Sequence, residues 1–172
     1  MPRRRLAIAV VSATLAVALT ACTPEPAATP TPTGFASEEE AFAAAEETYR
    51  AYVDASNEFN SGNDEATPEE HLIGEMLQTE RETRDLLETN DQHFEGAFLV
   101  SQFIPEKYAQ IAHSVTITAI VCMDSSDVIV VDADGEDVTP ADDNPEYALH
   151  VTFTSVNGQL LISDSQQSDE SC

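Results

Sequence analysis

From Ser37 to Asn60 the apolar positions follow a helical period. Phe42, Ala45, Tyr49, Tyr52, Val53 and Phe59, with Ser56 among them, recur every three to four residues along one stripe. Ser37 and Glu40 form the S-x-x-E pattern of a capping box, which predicts a helix start at Ser37. Asn60-Ser61-Gly62 supplies the stop. A stripe this long and aromatic has to lie against something broad, such as a sheet. A second start follows at Thr67-Pro68-Glu69-Glu70, with a threonine cap and a proline at the first helical position. Leu72, Ile73, Met76 and Leu77 form its predicted buried face. Thr79-Glu80-Arg81-Glu82 repeats the capping pattern and predicts a third helix carrying Leu86 and Leu87. The alternative is one bent helix from Pro68 to about Glu88.

After Asp91 the period drops to two. Phe94 to Phe103 holds a short predicted strand, ended by Pro105. Tyr108 to Met123 is the longest alternating run. Ile111, His113, Val115, Ile117, Ala119 and Val121 point one way; Ala112, Ser114, Thr116, Thr118, Ile120 and Cys122 point the other. Asp127 to Val131 predicts a further strand. Tyr147, Leu149, Val151 and Phe153 alternate with Ala148, His150, Thr152 and Thr154 in another. Asn157-Gly158 then predicts a two-residue hairpin, because both central positions of such a turn need positive φ. Leu160 to Ser163 returns, and Gln166 to Cys172 is expected to fray unless Cys172 is tied back. Helices followed by a run of antiparallel strands predict an α+β fold with the helices on one face of the sheet.

The N-terminus has a different pattern. Met1 to Arg5 is positively charged, and Leu6 to Leu19 is apolar apart from Ser12 and Thr14, too short to span a bilayer as a mature helix. That layout is a secretory signal. Its ending, Leu19-Thr20-Ala21-Cys22, resembles the bacterial lipobox. The resemblance implies cleavage before Cys22, a lipidated Cys22 thiol, and a protein anchored on the extracytoplasmic face of the cell membrane. Residues 1–21 are then the signal peptide, 22–34 a Pro/Thr-rich spacer of extended character, and 35–172 the folded domain.

Charge narrows the partners. The chain carries 32 acidic and 7 basic residues, a formal net charge of −25. Without Arg3, Arg4 and Arg5 only 4 basic residues face 32 acidic ones, a net charge of −28. Such a chain is repelled by nucleic acid and by anionic headgroups, so its membrane contact is expected through the anchor alone. Besides Cys22 there are two cysteines, Cys122 and Cys172, an even pair in an oxidising compartment. They are expected to bond; the alternative is a buried free Cys122 and a frayed, reactive Cys172.

The lipobox, the spacer, the TYRAYVDA phrase of the first helix, the VCMDSSDVIVVDADGEDV stretch and the closing cysteine together resemble the small actinobacterial-type lipoproteins with NTF2-like domains. The likeness covers Ser37 to Cys172. It implies the cone of the ketosteroid-isomerase-like fold, with N-terminal helices packed on a curved antiparallel sheet. This chain departs from the pattern in having no Trp, with Leu160 or Leu161 in the last strand instead.

The chemistry-bearing residues are few. His71, His93, His113 and His150 share no zinc spacing. His113 and His150 fall on strands that could be neighbours, and with Tyr49 and Tyr52 they are candidates to line a cavity; ordinary sheet histidines are the plainer reading. Asp132 to Asp137 lacks the glycine and glutamate positions of an EF-hand, and Asp134-Gly135 reads as a turn. An isomerase-like cone needs a carboxylate base and acidic hydrogen-bond donors; Tyr49, Tyr52 and Asp54 on the first helix and Asp124 at a strand end are candidates, and none matches an isomerase motif. No nucleophile elbow, phosphate loop or dinucleotide fingerprint occurs. No metal, cofactor or catalytic residue is therefore expected. The function expected is non-catalytic binding of a small molecule or protein partner at the cell envelope. A small NTF2-like enzyme is the first alternative, and an assembly domain forming a homodimer through its sheet is the second.

Overall fold

The computed structural model describes residues 34–140 and 144–172; the signal peptide, Cys22 and the spacer up to residue 33 lie outside the described residues. Helix α1 spans Glu38–Asn60. The Ser37 hydroxyl accepts from the Glu40 N–H at 3.1 Å, and the Glu40 carboxylate accepts from the Ala36 N–H at 2.8 Å. Gly62, at φ +92°, turns the chain away after the Ser61 cap.

The second and third predicted helices are replaced by a single 3-10 turn and one helix. Pro68–His71 forms the turn, and the Thr67 side chain makes no capping bond there. Leu72 and Ile73 are extended. The Ile73 N–H donates to the Ile162 carbonyl at 2.9 Å, so these two residues run along the last strand instead of continuing the turn. Gly74, at φ +60°, then opens helix α2, Gly74–Thr89, which passes through Thr79 without a break. The capping pattern at Thr79 is inside a helix, where the ordinary backbone ladder outcompetes a side-chain cap. Helix α2 has no fully buried residue, and Leu86 is exposed.

The strands are β1 (His93–Glu95), β2 (Leu99–Ile111), β3 (Ser114–Asp124), β4 (Ile129–Val131), β5 (Glu146–Val156) and β6 (Gln159–Gln167). The main sheet is antiparallel in the order β2-β3-β5-β6, while β1 and β4 pair in a separate two-stranded ribbon. Two expectations change here. Pro105 does not end a strand: β2 is an edge, so a residue without an N–H is tolerated, and the register shifts between Pro105 and Lys107. The run Tyr108 to Met123 is two strands, not one. Ala112 and His113 form the turn of a hairpin in which Ile111 pairs with Ser114, and Ala112 takes φ +55°. The Asn157-Gly158 hairpin forms as predicted, with φ +53° and +84°.

Alternation on β3 and β5 separates two faces. Val115, Ile117, Ala119, Val121 and Met123 of β3 join Val151 and Phe153 of β5 and Ile162 of β6 against Ala41, Ala45, Tyr49 and Val53 of α1. Phe153 is at the centre, edge-on to Tyr49 at 6.4 Å and tilted against Phe103 at 6.2 Å. The architecture is thus α+β, with two helices on a curved antiparallel sheet. On the opposite face Ile120, Cys122 and Ala148 are also buried. The tail lies there: the Ser168 N–H donates to the Ala148 carbonyl at 2.9 Å, and the Cys172 sulfur stands at bonding distance from Cys122, with Cα atoms 5.6 Å apart. The last residues are therefore held across β5 to β3.

Candidate functional site

The helices do not close over the whole inner face. Between α1, α2, the β1 ribbon and the Met123–Tyr147 end of the sheet lies a cavity of about 230 Å³. Its walls are mainly apolar: Val53 from α1, Met76 and Leu87 from α2, Phe94 and Phe98, and Met123 and Leu149 from the sheet. A larger groove of about 670 Å³ shares the Phe94, Phe98, Tyr147 and Leu149 wall and runs toward Ser126 and Gln167.

Of the four residues the sequence offered for a cavity, the structure brings two to it. Tyr49 and Tyr52 both line it. His113 is in the β2–β3 turn, exposed at the far end of the sheet. His150 pairs in register with Ile120, on the face away from the helices, and its Nε2 lies 3.1 Å from the Glu106 carboxylate. Alternation already placed His150 opposite Leu149 and Val151, and a strand cannot present both to one side.

Sequence reasoning missed the polar arrangement on the cavity wall. The Tyr52 hydroxyl donates to Glu80 Oε2 at 2.8 Å. Glu80 Oε1 accepts from Arg84 Nε at 3.1 Å and Nη2 at 2.9 Å. Arg84 Nη1 reaches Glu69 Oε1 at 3.4 Å, and Arg81 holds the other Glu69 oxygen at 2.8 Å. The Arg84 guanidinium stacks 4.1 Å above the Phe59 ring. One network thus ties α1, the 3-10 turn and α2 together. The signal for part of it was in the sequence, since Glu80 and Arg84 are four apart on one helix.

Tyr49 differs from Tyr52. It is 2% exposed, yet its hydroxyl has no hydrogen-bond partner among the described residues. No fully buried side-chain oxygen or nitrogen lacks a partner there, so the Tyr49 hydroxyl is reached from the cavity. Burial pushes its phenol well above the ordinary tyrosine range, and the neighbouring Tyr147 phenol adds to the shift. Burial also raises Tyr52, with the Glu80 carboxylate adding to it. Tyr147, raised by burial too, lines both cavity and groove.

The remaining carboxylate candidates lie elsewhere. Asp54 and Asp124 flank a separate surface groove beside Arg50. The Ser126 N–H donates to Asp124 at 2.9 Å and holds its carboxyl below the usual range. Asp132 accepts from the Asp134 and Glu136 N–H groups at 3.0 and 2.9 Å, so it shapes its own loop. Among the described residues no three His, Cys, Asp or Glu side chains converge on a metal position.

No family model matches the chain, and no curated protein matches it. Among solved structures it is similar to the intermembrane space region of the chloroplast protein ARC6. The two share 12% identity and a TM-score of 0.52, over 72% of this chain and 92% of that one. At that identity the likeness concerns the fold alone.

Proposed function

We propose that this is a lipid-anchored, extracytoplasmic, NTF2-like protein that binds a small molecule between its helices and sheet without transforming it. One observation carries the reading: a mainly apolar cavity of about 230 Å³ into which a nearly buried, unbonded tyrosine hydroxyl opens. Apolar walls with a few polar groups are the usual make-up of a small-molecule site. A cavity of about 150 Å³ lined by apolar side chains already takes up benzene, so this one has room for a somewhat larger molecule. The absence of catalysis is supported by Glu80. It is the one carboxylate on the cavity wall among the described residues, and Tyr52 and Arg84 occupy both its oxygens. A carboxylate engaged in this way is tied into the helix network instead of standing free for a ligand. The NTF2-like assignment is supported by the order of elements and by helices enclosing space against a curved sheet. The anchor is supported by Leu19-Thr20-Ala21-Cys22.

Binding is tested by NMR titration of the protein with indole, a neutral probe of suitable size. Shifts should concentrate at Tyr49, Met123 and Leu149 and vanish in Thr83→Trp, which fills the cavity from α2. Shifts scattered over the surface, or unaltered by Thr83→Trp, would refute the site. The anchor is tested by intact mass of the membrane fraction, where Cys22→Ala should abolish acylation.

A further inference from the structure

The cavity wall also limits which ligands can enter. Its two ionic groups neutralise each other. Glu80 is held by Tyr52 on one oxygen and by two Arg84 nitrogens on the other. Arg84 also reaches Glu69 and stacks on the Phe59 ring, so its charge is shared between two carboxylates. An anionic ligand would find no free cation and would enter a chain of net charge −25. A cationic ligand would find the Glu80 carboxylate already paired with Arg84 and would sit beside that guanidinium. Either ion would lose its water without compensation, and that loss decides the matter in an apolar chamber.

Of the lining side chains with unspent polar capacity, Asn60 and Ser165 are only half-buried, whereas Tyr49 is nearly buried, with Tyr147 beside it. Both tyrosines line the cavity, neither hydroxyl has a hydrogen-bond partner among the described residues, and the two phenols lie close enough to influence one another. A phenol in such surroundings stays protonated and therefore offers an O–H. Water can satisfy it in the empty cavity, but an apolar ligand that displaces the water must bring an acceptor or leave the hydroxyl bare.

We propose that the cavity selects an uncharged, mainly apolar molecule that carries one hydrogen-bond-accepting oxygen, received by the Tyr49 and Tyr147 hydroxyls. This rests on the reading of the cavity as a small-molecule site, and the experiment separates the two. Four probes of nearly equal size are titrated by NMR into the full chain carrying Cys22→Ala, so that no acyl chain competes: acetophenone, ethylbenzene, benzoate and benzylammonium. Acetophenone should bind about five- to tenfold more tightly than ethylbenzene, the yield of a buried hydrogen bond. Benzoate and benzylammonium should not saturate. Tyr49→Phe and Tyr147→Phe should each narrow the gap between acetophenone and ethylbenzene, Tyr49→Phe more, and leave ethylbenzene unchanged. If ethylbenzene binds as well as acetophenone, or Tyr49→Phe leaves their ratio intact, the acceptor requirement falls while the cavity remains a binding site. Benzoate or benzylammonium binding as tightly as acetophenone overturns the charge rule. If none of the four binds, the small-molecule reading falls and this inference with it.

Discussion

Replacing Cys172 with serine should destabilise the domain mainly through its unfolded state. Cys172 is exposed at the end of the chain, so the substitution opens no cavity. Its partner Cys122 is 0% exposed in β3, 50 residues away in sequence, with the Cα atoms 5.6 Å apart. In the chain-entropy account, freeing a loop of about 50 residues gives the denatured chain about 4 kcal/mol at 25 °C. The Ser168–Ala148 hydrogen bond, a contact of about 1 kcal/mol, remains in the variant and does not offset this. For a domain of this size each kcal/mol moves the midpoint by about 3–4 °C, so Cys172→Ser should melt roughly 12–16 °C below the oxidised parent. Thermal unfolding followed by circular dichroism measures this. Reductant should lower the parent to the same midpoint and leave the variant unmoved. A variant within about 3 °C of the oxidised parent would show that the two sulfurs are neighbours without a stabilising bond.

Phe153→Ala should cost about 3–5 kcal/mol by denaturant titration, since the ring is fully buried between Tyr49 and Phe103. Arg84→Met should cost about 2 kcal/mol, between the values for exposed and buried pairs, because Glu80 is 17% exposed and loses its cation. Arg84→Lys should recover less than half of that, as an ammonium cannot chelate Glu80 and lie flat on Phe59 together. The raised phenols of Tyr49, Tyr52 and Tyr147 favour the fold below pH 10, the unfolded tyrosine value, and that contribution is lost as pH climbs above it. Absorbance near 295 nm should therefore show these three ionising together with unfolding; ionisation in the intact fold would contradict the burial.

What could be read in the sequence was what local chemistry decides. Ser37 caps α1 with its own hydroxyl, and Asn157-Gly158 adopts positive φ because those residues tolerate it. The strand faces of β3 and β5 followed from alternation alone. Three features were hidden because tertiary contacts decide them. Leu72 is extended because it lies along Ile162, not because of its neighbours in sequence. Ala112 turns the chain in a left-handed conformation that alanine rarely takes, and the alternation runs through the turn undisturbed. Pro105 continues a strand because β2 has a free edge. The cavity was half legible: Tyr49 and Tyr52 belong to the helix stripe, whereas the Glu80–Arg84–Glu69 network joins segments that only the fold brings together.

Helix α2 has no buried side chain of its own and is held by the Ile73–Ile162 hydrogen bond, partly buried Met76 and Leu77, and the ion network. Such a helix should detach as a separate unit at a fraction of the global unfolding free energy. Its amides should exchange with solvent long before those of β3 and β5. Because α2 forms one wall of the cavity, this early-opening unit would set how long a guest of the proposed site stays inside. For the proposed guest, loosening Arg84 would then hasten departure out of proportion to its effect on the melting point.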